Sequence, residues 1–151
     1  MGRQANAIGR KSKNMNGKRY RSLSAYQAAK TLVKEVYALL KKFPKEEQYA
    51  LCDQLRRAVI SVPSNIAEGM GRTTDKDQAH FLEIAYGSLM ETQCQLEIAF
   101  ELGYITKEEF DNQDNAIEAI GKMLSSLRMI CKPSPIAFCP SPNSTPSPNS
   151  L

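Results

Sequence analysis

The chain has 151 residues, a formal net charge of +4 and 42% apolar side chains, which suits one domain with a buried core rather than two. The charge is uneven: Arg3, Arg10, Lys11, Lys13, Lys18, Arg19 and Arg21 give residues 1–22 a charge of +7 with no acid, leaving −3 for residues 23–151. No apolar run approaches the roughly 18 residues that span a bilayer, and no apolar stretch follows the basic start as a secretory signal requires. Cys52, Cys94, Cys131 and Cys139 show neither a C-x-x-C pair nor Cys/His ligand spacing, so no zinc site is expected. Their apolar surroundings suit reduced thiols in a cytoplasm.

Residues 1–22 mix cations with Gly, Asn and Ser and have no apolar period, so they read as a disordered basic arm. Met15 is an alternative start, which would leave Lys18, Arg19 and Arg21 as the arm. A first helix is expected over residues 24–43. Ser24 is placed as its N-cap, and Leu32, Val33, Val36, Leu39, Leu40 and Phe43 recur at helical spacing. Lys41 and Lys42 suit the negative end of its dipole.

Pro44 ends that helix and is placed at the first position of the next, over residues 44–68. Leu55, Val59, Val62 and Ile66 form the second stripe. Gly69 and Gly71 supply an exit, with a positive φ expected there. Pro63 interrupts this segment. A proline inside a helix costs roughly 3 kcal/mol or more. The phase of the stripe is nevertheless kept across it, so a continuous kinked helix is expected, with Ser61, Ser64 and Asn65 bonding the backbone groups freed by the ring.

Thr74-Asp75-Lys76-Asp77 reads as a capping box opening the longest helix. Leu82, Ala85, Leu89, Thr92, Leu96 and Ala99 step along it by three and four, and Gly103 stands just past Leu102 as its C′ residue. Thr106-Lys107-Glu108-Glu109 is a second box. Gln113, Ile117, Ile120, Leu124 and Cys131 keep the step until Pro133. Residues 132–151 hold six prolines among Ser and Asn and read as a disordered, solvated tail. The fold class is therefore all-α: an antiparallel up-down-up-down four-helix bundle over residues 23–131 with disordered termini.

The chemistry offered is sparse. Asp77 and His80 have the i, i+3 spacing of a metal-ligand pair, but a di-metal bundle needs two such pairs and His80 is the sole histidine. Ser61 and Ser64 lack a nearby base, so nucleophilic catalysis is not expected. Gly69-Met70-Gly71 follows a helix rather than a strand and is no phosphate loop. No cofactor, metal or catalytic residue is assigned. Arg56 and Arg57 point about 100° apart on a helix. One is expected to pair with a carboxylate such as Glu68 or Glu91 and the other to meet a phosphate or a neighbouring subunit. Tyr37, Tyr49, Phe81, Tyr86 and Ile98 lie off the main seams and are candidates for a subunit interface.

With Gln54-Leu-Arg-Arg-Ala, Ser64-Asn65-Ile66-Ala67-Glu68-Gly69, Gly87-Ser88-Leu89-x-Glu91 and Leu102-Gly103-Tyr104-Ile105, the chain resembles the bacterial four-helix-bundle proteins encoded by intervening sequences in 23S ribosomal RNA genes. Residues 25–29 and the turn at 42–47 fit as well, so the likeness covers about 24–131. Pro63, Asn65, Glu68 and Gly69 carry its structural signature. The resemblance implies a cytoplasmic homopentamer with no established enzymatic activity. It also implies kinship with the accessory variability proteins of diversity-generating retroelements, which bind a reverse transcriptase and nucleic acid. The basic arm, the Pro/Ser tail and the acidic balance of the folded part depart from that pattern.

Two functions remain open. One is a non-enzymatic homo-oligomer that associates with RNA or DNA through Arg56, Arg57, Arg72, Lys18, Arg19 and Arg21, mostly by phosphate contact. The other is a protein-interaction adaptor, such as an accessory subunit of a retroelement reverse transcriptase. An enzyme would need an inter-helix pocket that no motif marks.

Overall fold

Apolar residues at steps of three and four build four helices, each with one side turned inward. The computed structural model describes residues 16–131: α1 (Ser24–Leu40), α2 (Leu51–Met70), α3 (Asp75–Glu101) and α4 (Lys107–Cys131), with 3-10 turns at Asn16–Ser22 and Lys45–Glu47. No strand occurs among the described residues. The helices form the expected antiparallel bundle. α1 packs on α2, α2 on α3, α3 on α4 and α4 on α1, while the diagonal pairs bring no Cα atoms within 8 Å of each other. The core they enclose is continuous. Leu32, Val36, Leu55, Val59, Val62, Ile66, Leu82, Leu89, Leu96, Ile117, Ile120 and Leu124 are all essentially inaccessible to solvent.

The later helix ends match the sequence signals. Thr74 accepts from the backbone N–H of Asp77 at 3.1 Å. At α4 the box is reciprocal: Glu109 N–H donates to Thr106 Oγ1 (3.1 Å), and Thr106 N–H donates to Glu109 Oε2 (3.0 Å). Gly103, with φ of +79°, closes α3. Tyr104 N–H reaches back to the Ala99 carbonyl and Gly103 N–H to that of Phe100, both at 2.9 Å, the paired bonds of a Schellman stop.

The earlier ends differ from expectation. Leu23, not Ser24, occupies the N-cap of α1, and no side chain caps it. α1 ends at Leu40 rather than Phe43. The residue before a proline is pushed out of the helical region, and Phe43 turns inward instead. Pro44 opens a short 3-10 turn, not α2. The chain must reverse first, and Ala50 does so with φ −114° and ψ −104°. Glu47 then serves the new helix by accepting from Leu51 N–H at 3.3 Å.

α2 is continuous through Pro63, which is buried. Ser64 Oγ donates to the Ile60 carbonyl, and Asn65 Nδ2 donates to both the carbonyl and the hydroxyl of Ser61, each at 2.8 Å. The carbonyl deprived of its N–H partner by the proline is that of Val59. The polar side chains therefore reinforce its neighbours rather than replace the missing bond. Gly69 and Gly71 do not end the helix through positive φ: Gly71 caps it at φ −84°, and Gly69 lies inside it. A Cβ at Gly69 would stand 3.0 Å from Phe81 Cβ and 3.3 Å from the Gln78 carbonyl, so this glycine permits close approach of α2 and α3.

Part of the basic segment read as a disordered arm is helical. The turn Asn16–Ser22 packs on α1 and α2, and Tyr20 meets Tyr26 edge-on with ring centroids 4.9 Å apart. The remainder of the arm, the alternative start Met15, the tail at 132–151 and Cys139 lie outside the described residues.

Candidate nucleic-acid interface

The basic residues singled out by sequence gather at opposite ends of the bundle. At the end where α1 starts and α2 finishes stand Arg19, Arg21 and Arg72. Lys18 belongs to the same 3-10 turn, and its side chain is outside the described set. Arg19 and Arg21 are exposed, and the Arg21 guanidinium lies 5.9 Å from the centre of the Tyr20 ring. Arg72 is ion-paired with Glu68 and sits over Phe81 at 4.5 Å. Tyr20, Ser64, Ala67, Glu68, Gly71 and Arg72 line a groove of about 410 Å³ here. The arginine and the acid expected to face other partners thus largely answer each other.

Arg56 and Arg57 stand near the opposite end, at the start of α2. Sixteen residues separate Arg56 from Arg72, or roughly 24 Å at helical rise, so the candidates form two sites rather than one. Arg57 pairs with Asp53 at 3.1 Å on its own helix, not with Glu68 or Glu91. Arg56 has no carboxylate partner among the described residues; its Nη1 donates to the Gln48 carbonyl at 3.4 Å. That bond turns it over the α1–α2 elbow, residues 41–50.

The elbow is pinned to the rest of the bundle. Lys42 pairs with Glu109 of α4. That lysine and the backbone of Thr106 hold the Glu109 carboxyl below its ordinary range. The Tyr104 hydroxyl donates to Glu47 Oε1 at 3.0 Å, which pushes the phenol up. Tyr37, Leu40, Lys41, Phe43, Lys45, Gln48 and Arg56 then line a second groove of about 410 Å³. Sequence reading missed Lys41 as a site residue because it has a plain helix-end explanation, and Lys45 because it counted only as part of the turn at 42–47. Only the fold brings them beside Arg56.

The remaining signature residues are structural. Pro63 is buried. Asn65 joins a polar chain in which Ser88 Oγ of α3 donates to Ser61 Oγ at 2.8 Å. Glu68 is spent on Arg72 and Gly69 on the α2–α3 crossing. His80 is exposed beside Phe81, and among the described residues no three His, Cys, Asp or Glu side chains converge as a metal site. No described helix is long and apolar enough to cross a membrane.

The profile of the 23S rRNA-intervening sequence proteins matches residues 21–126. The chain belongs to this family. No curated protein matches it. A crystal structure of a protein of unknown function from the S23 ribosomal protein family of Bacteroides thetaiotaomicron superposes with a TM-score of 0.64 at 24% identity, covering 69% of this chain and 97% of that one. That likeness shows the shared bundle. Within this member of the 23S rRNA-intervening sequence family, the matched region takes in Arg21, Arg56, Arg57 and Arg72, together with Lys41 and Lys45. Lys18 and Arg19 fall before it.

Proposed function

We propose that this protein is a non-enzymatic, homo-oligomeric bundle that associates with RNA or DNA in the cytoplasm through basic side chains. The observation that carries this reading is the clustering of cations at both ends of a bundle whose folded part is acidic on balance. Arg19, Arg21 and Arg56 have no carboxylate partner among the described residues. Self-repulsion within such clusters is offset when phosphates enter, and binding of that kind is weakly sequence-specific. A gel-shift series with single-stranded and duplex RNA and DNA at about 50 mM salt tests it. Retarded bands with all four, at micromolar protein or below, are expected. No shift with any of them would refute the association.

Assembly is supported by apolar side chains left on the surface. Ile60, Ile84 and Ile98 are each about two-fifths exposed, and Tyr49 is 93% exposed. Of the interface candidates, Phe81 and Tyr86 are half-buried and pack within the chain instead. A pentamer is the assembly suggested by the resemblance noted above. Light scattering at micromolar concentration should give about five times the 16.8 kDa chain mass, and a monomer mass would refute assembly.

A second reading, an adaptor such as an accessory subunit of a retroelement reverse transcriptase, is favoured by Met129 and Ile130. These are 75% and 77% exposed at the end of α4 and offer a protein-docking patch. Co-purification of a reverse transcriptase that is lost on Met129→Ser/Ile130→Ser would support it. Purification without any protein partner would count against it.

A further inference from the structure

We propose that the groove at the α1–α2 elbow is a binding site for single-stranded nucleic acid, with Lys41, Lys45 and Arg56 on the phosphates and Tyr37 against a base. This rests on the nucleic-acid reading above and narrows it to one of the two basic ends.

The charge pattern selects this groove. Lys42, Arg57 and Arg72 each have a carboxylate partner, in Glu109, Asp53 and Glu68 respectively. Lys41, Lys45 and Arg56 have none among the described residues, and they line one groove. No carboxylate lines it. Glu47 of the elbow is occupied by the Tyr104 hydroxyl and the Leu51 N–H. The groove at the other end has Glu68 in its wall and its arginine already paired. Three uncompensated cations facing one cleft repel one another, and an anion relieves that repulsion.

The shape selects the form of the ligand. Leu40 and Phe43, both nearly buried, make an apolar floor, and Tyr37 stands 38% exposed beside it. The volume of about 410 Å³ falls among small-ligand pockets, roughly 300–1,000 Å³. A base splayed from a single strand can lie on an aromatic ring while its phosphates meet the cations. A stacked duplex presents no free base face, and it calls for a longer basic track than one elbow provides. Arg56 is also steadied by the Gln48 carbonyl, so less freedom is lost when its planar fork meets a phosphate.

The test uses the full chain and a fluorescein-labelled 12-nucleotide oligouridine RNA, followed by anisotropy across a salt series, with a duplex of equal length in parallel. Lys41→Gln/Lys45→Gln/Arg56→Gln should weaken single-strand binding at least tenfold at low salt. It should flatten the log–log salt slope by about 2, at about 0.7 per phosphate for single strands. Tyr37→Ala should cost about tenfold on the single strand and little on the duplex. Lys122→Gln, at an exposed lysine of α4 paired with Glu118 and outside the candidate binding set, should stay within about threefold of the parent. Circular dichroism verifies folding of each variant. Photocrosslinking of 4-thiouridine RNA to the unmodified chain, expected within residues 37–56, gives a readout that needs no variant.

If the chain binds but the triple variant keeps its affinity and slope, or crosslinks fall elsewhere, the groove is wrong while the nucleic-acid reading stands. Tighter binding of duplex with no effect of Tyr37→Ala overturns the single-strand assignment. Absence of binding by the unmodified chain overturns both readings.

Discussion

Two helical glycines, Gly69 and Gly87, have different duties in this protein, and substitution separates them. Gly69 lies where α2 and α3 cross, and a methyl group there would meet Phe81 Cβ at 3.0 Å. Gly69→Ala should destabilise by about 1–3 kcal/mol through overpacking. Gly87 is helical with nothing within 4 Å of an added Cβ, so Gly87→Ala should stabilise by about 0.5–1 kcal/mol. Denaturant unfolding of the two variants at one protein concentration checks the opposite signs. The sequence signal at Gly69, a glycine near a helix end, is the same for an exit as for a close crossing; only the path of α3 decides between them. The thiols divide in a comparable way. Burial pushes Cys52 and Cys131 up and hides them, whereas Cys94 is exposed. Among these three, Cys94 should be labelled first by a thiol reagent at neutral pH, as peptide mapping would show.

At the scale of elements, the starts of α3 and α4 are legible because their caps are local: Thr74 with Asp77, and Thr106 with Glu109, are three residues apart. The stop of α3 is legible for the same reason, since φ of +79° at Gly103 suits glycine. The elbow between α1 and α2 is not local. Its shape depends on Glu47 meeting Tyr104 and Lys42 meeting Glu109, contacts between residues more than fifty positions apart. A helix from Pro44 onward is therefore a reasonable local reading that tertiary contacts override. Glu109 serves both the elbow and the α4 cap, and its carboxyl is held below the ordinary value of about 4.5. A carboxyl whose folded value is depressed adds stability above that ordinary value and loses it as pH falls through the folded one. Unfolding followed from pH 7 downward should show Glu109→Gln less stable than the parent at neutral pH. The difference should shrink below about pH 4.5, where the parent carboxyl takes up its proton. A constant difference down to pH 2 would contradict this role.

For the whole molecule, the bundle was readable because its stripes are long: α3 alone runs 27 residues with its inward positions at steps of three and four. The candidate site was readable only in part. Arg56 is recognisable as an unusual surface residue, but the groove it shares with Lys41, Lys45 and Tyr37 joins residues from two helices and their connection. Arg57 and Arg72 each have an acid four residues earlier, Asp53 and Glu68, a helical pairing that Arg56, with Cys52 at that spacing, lacks. The proposed function rests on where uncompensated charge collects. The most direct measurement of that idea is the affinity of the full chain for single-stranded RNA as a function of salt. With Lys41, Lys45 and Arg56 on phosphates, the logarithm of the binding constant should fall against log salt with a slope of about −2. A slope near zero, or no binding at about 50 mM salt, would contradict association through phosphates.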